Sequence, residues 1–387
     1  MGINAILPGQ VLANDASVGD VLTAQADGSS AFQSPAGGGI GGSTGSTDNA
    51  LLRADGTGGS TLQSSAWIMP DNYTAGPNAT VNICALEATG ATTNVGVAIV
   101  PQGSGSFSLH VPDGTTAGGN ARGANAVDLQ LSRNSASRVA SGASSFVVGQ
   151  NCTASGTAAV AVGYNCTASN AYAFAAGGYS SATNAYAVAL GNYARATNYS
   201  SVAIGANSLA SGNQSLVIGA GNGSMASAQN GIAIGDRARA DRDYIFAFAA
   251  GGFTGTEGVG DAQYVQWVLR NKTTDGTTAT TLFAGNNDRC LLTSGKVLHA
   301  TVHVVGVKSD GSAVAVYQRQ VAIKNVGGTT SLVGTVNTIG SDTAASTSLS
   351  ITADDTNDAL DVQVTGIASE TWRWVATVVG VEVAYGT

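Results

Sequence analysis

The 387 residues predict an all-β protein with two unlike parts, a narrow parallel β-roll followed by an antiparallel β-sandwich or jelly-roll. Three observations carry that prediction. A short repeat runs from Ala140 to Arg239. The chain holds 53 Gly and only 10% charged residues, against a usual charged share near ~25%. Beyond Ala262 longer segments alternate polar and apolar residues, while nowhere does a helical spacing of apolar residues persist.

The repeat comes first, because a fixed short period identifies a solenoid before any local structure is read. In blocks of fourteen it runs ASGASSFVVGQNCT, ASGTAAVAVGYNCT, ASNAYAFAAGGYSS, ATNAYAVALGNYAR and ATNYSSVAIGANSL, then ASGNQSLVIGAGNGSM, two residues longer, and ASAQNGIAIGDRAR. Ala opens each of the seven blocks (Ala140 to Ala226), and a Gly follows nine residues later (Gly149 to Gly235). Large apolar residues hold the seventh and ninth positions of most blocks, as in Val202 and Ile204 or Ile232 and Ile234, with a small residue between them. Period-two alternation puts the large pair on one strand face and the small residue on the other. The Gly supplies a tight turn or a positive φ. A second short strand falls near each block junction (Ala194 and Ala196, Ala238 and Ala240). Each block is thus one coil, which cannot bury its apolar face alone but can when stacked. At roughly 4.8 Å per strand, seven coils make a rod on the order of 35 Å long.

SVAIGANSLASGNQS (Ser201 to Ser215) resembles the head repeat of YadA-type trimeric adhesins, a repeat also found in phage tail fibres. The resemblance implies a left-handed parallel β-roll assembled as a homotrimer. No heptad pattern is present to trimerise the chain as a coiled coil. The three chains are therefore expected to associate through β surfaces, with the small-residue strand face toward the axis.

The segments before the repeat extend the resemblance. LPGQVLANDASVGDVLTA and STDNALLRADGTGGSTLQSSA resemble the N-terminal motifs of phage tail fibres, which implies docking of residues 1–75 on a tail or baseplate protein. Pro35 to Asn49 is a Gly/Ser/Thr linker within that segment. Residues 76–139 continue in β style, and Pro112 to Ser145 resembles the run that precedes the roll in phage fibres, read as a trimeric stem or cap. The roll is assigned residues 140–241.

After residue 241 come QYVQWVLR, VLHATVHVVGVK, AVAVYQRQVAIK, TSLSIT, LDVQVTG and TWRWVATVVGVEVAY, with turns at Ser309 to Ser312 and Asn325 to Thr330. Six or more alternating strands predict a sandwich or jelly-roll over 242–387. This varied module is the expected receptor-binding tip, taking a host surface glycan or an outer-membrane protein.

Composition narrows the chemistry. A net charge of −8, a pI near 4.7 and no basic cluster argue against nucleic acid, whose phosphates demand Lys and Arg. The start shows no basic region followed by an apolar one, so no secretory signal is read, and no apolar stretch reaches the length of a membrane helix. Cys84, Cys152, Cys166 and Cys290 form no disulfide framework. Cys152 and Cys166 share one position in adjacent coils, leaving either a disulfide or stacked free thiols, and parallel Cβ vectors favour the thiols. Asn-X-Ser/Thr triplets such as Asn151-Cys-Thr follow from the repeat's use of Asn and Thr.

Four constellations are candidate sites. His299 and His303 share one strand face, either as a metal pair or as exposed polar residues, and no third ligand lies near in sequence. Asp354, Asp355, Asn357, Asp358 and Asp361 gather in a turn, either a Ca²⁺ loop or a solvated turn. Trp372 and Trp374 flank Arg373, with both indoles either in the core or forming a sugar platform. Glu257, Asp261 and the C-terminal acids show no spacing that demands catalysis, and the roll offers no carboxylate pair. No catalytic, cofactor or metal residue is assigned, and no enzyme is expected. The combined expectation is a homotrimeric tail fibre of a phage virion, assembled in the host cytoplasm, with no membrane insertion. The alternatives are an autotransporter-type adhesin and a tailspike depolymerase.

Overall fold

The computed structural model describes residues 98–219, 223–253, 259–285, 287–343 and 346–385, together with the backbone of five earlier strands. The chain divides into two compact units, 1–100 and 101–387. In the first, Val21–Ala24 pairs antiparallel with Ser30–Gln33, and Leu62–Ile68 pairs antiparallel with both Ala50–Ala54 and Glu87–Ala88. Apart from these strands, the expected attachment segment 1–75 lies outside the described residues, as do its linker at 35–49 and Cys84. No helix occurs among the described residues, so the protein is all-β as the sequence implies.

The repeat is a parallel β-solenoid. Each coil contributes one strand of three to five residues and one of two. The longer strands run from Phe146–Gln150 to Phe246–Ala250 and pair in parallel at the block spacing, Val188 against Val202 and Ala189 against Ala203. The short strands, Thr153–Ala154 through Arg239–Ala240, form a second parallel sheet of seven. The ladder runs past both ends of the repeat. Phe246–Ala250 adds an eighth coil, in which Ala249 pairs with Gly235 in place of the block Gly. On the other side Val127–Ser132 pairs in parallel with the first repeat strand, and Phe107–Ser108 with Val127–Ser132. Twenty residues separate Phe107 from Val127, and these longer excursions hide the coil from a fourteen-residue period.

The interior of the roll admits little but small side chains. Four positions per coil point inward. The middle of the long strand is Ala161, Ala175, Ala189, Ala203 or Ala233, with Val only at Val147 and Val217. The block-opening Ala faces it, and the other two places take Ala, Ser, Cys or Gly. Nearly all are fully buried in a single chain. This corrects one expectation: the small-residue face cannot turn toward an axis between chains, because it is already enclosed by its own coil. In the seven repeat coils two sheets joined by two- to five-residue turns lie too close for Leu or Ile, so the large pair goes outside; in the eighth coil, at the junction with the C-terminal part, Ile245 takes an inward place.

Turns with unusual backbone close the coils. The block Gly has φ between 104° and 133° in six of seven blocks, and a Cβ on Gly163 would fall 2.1 Å from the carbonyl oxygen of Gly177 in the next coil. In six of the seven blocks two more residues adopt positive φ without being Gly, among them Tyr172, Tyr179, Tyr186 and Tyr193. Their amides donate to carbonyls of the preceding coil, Tyr186 to Ala171 and Tyr193 to Gly178. Stacking therefore fixes a conformation that the residue alone disfavours.

The N-terminal end of the roll carries a lid. Residues 112–122 fold over it, and Asp128, fully buried, accepts from Arg122 Nε at 2.8 Å with Arg133 beside it. The two guanidinium groups also donate to lid carbonyls, Arg122 to Gly118 and Asn120, and Arg133 to Ala117.

At the other end the roll's long-strand sheet continues into antiparallel strands. Phe246 to Phe248 pair with Gln266 to Tyr264, at the start of Ala262–Thr273. That strand pairs with Trp372–Ala384, then come Lys296–Lys308, Val314–Val326 and Thr329–Leu332, so one 16-stranded sheet runs through roll and C-terminal part. Strict alternation buries Val265, Trp267 and Leu269 on one face and Trp372, Trp374, Ala376 and Val378 beside them. Against this face lies a second sheet of Thr280–Thr281, Cys290–Leu291, Ser348–Asp354 and Ala359–Thr365. Its Leu360 and Val362 belong to the same buried cluster as Trp267, Leu298 and Trp374.

Where roll and C-terminal part meet, a buried ionic cluster replaces apolar packing. Arg242, on the last turn of the roll, holds Glu382 through two bonds of 2.5 and 2.9 Å. Lys296 Nζ (2.6 Å) and Gln263 (3.0 Å) also donate to Glu382, and Asp241 neutralises the remaining charge on Arg242 and Arg239. The Arg242 guanidinium lies 5.2 Å over the Trp267 ring. Burial raises the pKa of Glu382, but Arg242 and Lys296 outweigh it and hold the carboxyl below the usual range; Asp241 behaves alike.

Candidate binding surfaces

The first surface is the outer face of the long-strand sheet. Phe146, Ile204, Ile218 and Phe248 are exposed, and Val160, Val188, Val202, Leu216 and Ile232 are half-buried. Because the repeat is in register, these side chains form two continuous apolar rows along the roll. The rows lead onto the outer face of the C-terminal sheet, where Val268, Val305, Val316, Val375 and Val381 are between 40% and 55% exposed. A contiguous apolar face of this extent marks a contact surface.

The second is a pair of tyrosine ladders on the turns. Tyr179 and Tyr193 stack at 4.8 Å and Tyr172 and Tyr186 at 5.1 Å, while Tyr164 and Tyr199 extend the two ladders edge-on. All six are 42–55% exposed.

The third is a cleft of about 470 Å³ at one corner of the C-terminal sheet. Arg270 and Lys272 alternate along one strand, and Arg373 is the cross-strand partner of Lys272. Phe283, bridged to Arg270, forms one wall with Asn287, and Trp374 and Val375 complete the lining. A second hollow of about 360 Å³ adjoins it through Arg270 and Gly285 and reaches Tyr244 and Phe246 at the end of the roll.

The constellations noted in the sequence fall as follows. His299 and His303 do share the outer face, both exposed, in register with Val381 and Thr377. Among the described residues no group of three His, Cys, Asp or Glu is placed to hold a metal ion. The acidic turn is closed by the protein itself. Arg289 lies 3.2 Å from Asp354 and 3.4 Å from Asp361, while Asp355 and Asp358 accept from the amide and hydroxyl of Thr330. Asp354, held down by Asn357 and Arg289 against the raising effect of its burial, stays ionised. Trp372 and Trp374 stack on each other at 5.6 Å and are buried, so the indoles serve the core. Cys152 and Cys166 are free thiols. Their Sγ atoms lie 3.2 and 3.0 Å from the carbonyl oxygens of Gly163 and Gly177, one coil on, as Ser224 Oγ lies from that of Gly235. Sequence reasoning missed the cleft, because its third cation arrives from a strand about a hundred residues away.

A family model described as the YadA head domain repeat matches residues 140–165, 196–222 and 226–244. The chain therefore carries YadA head repeats in its solenoid. No curated protein matches the sequence. Among solved structures, the chain is 11% identical to a tailspike protein of Acinetobacter baumannii bacteriophage Fri1, a capsular polysaccharide depolymerase, over 66% of this chain and 44% of that one, at a TM-score of 0.20. The tailspike of Acinetobacter phage vB_ApiP_P1 gives 12% identity over 73% and 80% of the two chains, and that of Acinetobacter baumannii phage AM24 10% over 71% and 56%, both at a TM-score of 0.20. This chain thus spans less than half the length of the first of these, and a TM-score of 0.20 corresponds to no common overall arrangement.

Proposed function

We propose that the protein is a homotrimeric fibre of a phage tail that holds the virion to its host by passive, multivalent recognition. The observation that carries this reading is the outer face of a solenoid built from YadA head repeats. Its large apolar pairs find no cover within one chain, and three copies about an axis would cover them while leaving the tyrosine turns in water. The unbroken sheet from roll to C-terminal strands and the ionic cluster at their junction make the C-terminal part a rigidly held tip. Three tips on one rod raise the apparent affinity for a dense receptor well above that of one. Residues 1–75 carry the virion end, on the resemblance of their motifs to those of tail fibres.

The roll and tip act without catalysis in this reading. Two measurements test it. Multi-angle light scattering of the purified chain is expected to give three times the monomer mass, and a monomer would remove the trimer. The purified protein is also expected to bind host cells and block adsorption of the phage. Shortening of capsule or lipopolysaccharide on incubation would transfer the protein to the depolymerases.

A further inference from the structure

We infer that the corner cleft lined by Arg270, Lys272 and Arg373 binds the anionic group of an acidic glycan, a carboxylate or phosphate carried on a sugar. The inference deepens the host-recognition reading and rests on it for its biological sense, though not for its chemistry. Three observations support it.

The first is charge placement. Among the described residues from Arg239 onward, Arg239, Arg242, Arg289, Lys296, Lys308 and Arg319 each have an acidic partner. Arg270, Lys272, Lys324 and Arg373 have none, and three of these four line one cleft of a chain whose net charge is −8. Like charges on adjacent strands repel, so folding alone does not reward their meeting. A bound anion does. Two of the three are guanidinium groups, which meet carboxylate or phosphate oxygens with paired N–H donors.

The second is the rest of the lining. Phe283 forms a wall, already flanked on one side by Arg289 at 5.3 Å, and the adjoining hollow adds Tyr244 and Phe246. Aromatic walls beside cations suit a sugar ring bearing an acid, which offers C–H faces to the rings and oxygens to the guanidinium groups.

The third is position. The cleft sits at the rim of the outer sheet face, whereas Val305, Val307, Val314 and Val316 occupy the same rows further across. Covering three unpaired cations with another copy of the chain would cost more in desolvation than the contact returns. That corner therefore stays in water when the apolar rows are covered.

The test uses the full chain with three probes: polygalacturonate for the carboxylate, phosphomannan for the phosphate, and neutral dextran. Titration calorimetry is expected to show binding of at least one acidic polymer, weakening steeply with salt, and none of dextran. Whichever acidic polymer binds more tightly identifies the source of the anion. The variant Arg270→Ala/Lys272→Ala/Arg373→Ala changes exposed side chains only, so its melting temperature and mass should match the unaltered chain. Its affinity for the acidic polymer is expected to fall at least tenfold. Unchanged affinity in the variant, no binding of either acidic polymer by the unaltered chain, or equally tight binding of a single-stranded oligonucleotide through the same residues would each overturn the inference. Cell binding separates the two claims. If the unaltered chain binds host cells and the variant binds them equally, the cleft is wrong and host recognition stands. If the unaltered chain binds no host cell, host recognition fails, while the polymer titration still decides the cleft.

Discussion

The roll and the C-terminal part share one continuous sheet, yet they solve burial in opposite ways. In the roll nearly all enclosed positions are Ala, Ser, Cys or Gly, with Val at Val147 and Val217, and the bulkier apolar side chains stand outside. In the C-terminal part Trp267, Leu269, Trp372 and Trp374 are enclosed, a second sheet covers them, and the outer face carries valines, cations and the two histidines. The difference is one of thickness. Two sheets tied by turns of a few residues leave room for methyl groups, whereas independent sheets pack about 10 Å apart and need large side chains between them. A coil thus gains little from its own interior and depends on its neighbours, while the C-terminal part has a core of its own.

That contrast can be broken at specific residues. The largest loss is expected at the ionic junction. Glu382→Leu leaves Arg242 and Lys296 in a buried site with Asp241 alone to balance them and should cost about 3–5 kcal/mol, read by urea unfolding as an early transition of the C-terminal part. Adding Arg242→Met should recover much of that loss, since apolar replacement of both partners is tolerated better than removal of one.

The roll has its own sensitive position. Gly163→Ala forces a left-handed residue with a side chain against the Gly177 carbonyl oxygen, costing about 3 kcal/mol or more. Gly178→Ala meets only the movable Asn192 side chain and should stay under about 1 kcal/mol. Equal losses in the two variants would show that the coils tolerate rearrangement more than their geometry implies.

Acid should separate the two parts as well. The folded pKa values of Glu382 and Asp241 are lowered. Their contribution is therefore complete above the unfolded carboxylate range, near pH ~4, and is lost as pH falls through the folded values. A melting series should show the C-terminal transition falling steeply on acidification. The coils from 140 to 235 contain no acidic residue, so their transition should barely respond.

Smaller effects concern the outer rows and the cysteines. Ile204→Ser with Ile218→Ser should leave single-chain stability within about 1 kcal/mol, since both side chains are exposed. It should nonetheless shift the light-scattering mass toward the monomer. An unchanged mass would mean that chain association does not use this face. Cys166→Ser is expected to be the mildest change, under about 1 kcal/mol by thermal melt, because Ser180, Ser208 and Ser224 already fill the equivalent place.

Much of this was legible in the residues. The block Ala and Gly define the coil, and the alternation in SVAIG separates a large face from a small one. Alternation cannot say which face is enclosed, and the thinness of the roll reverses the expected assignment. The coils at 107–132 carry no such signal, because long excursions erase the period, although Val127 pairs with Phe146 as any repeat strand would. The pairing of Arg242 with Glu382, and the meeting of Arg270, Lys272 and Arg373, depend on strand order and register across about a hundred residues or more. No local pattern encodes either.

The left-handed turn residues have a bearing on how the rod comes into being. A coil standing alone would hold Tyr186 and Tyr193 in a disfavoured conformation with no carbonyl to receive their amides. The first coil is therefore the expensive one, and each later coil settles onto a finished template. The lid of Arg122, Arg133 and Asp128 supplies that template from the side that leaves the ribosome first. Growth from that template would follow the direction of synthesis, one coil at a time, toward the C-terminal part, and a chain lacking residues 101–139 is expected to refold more slowly in stopped-flow measurements.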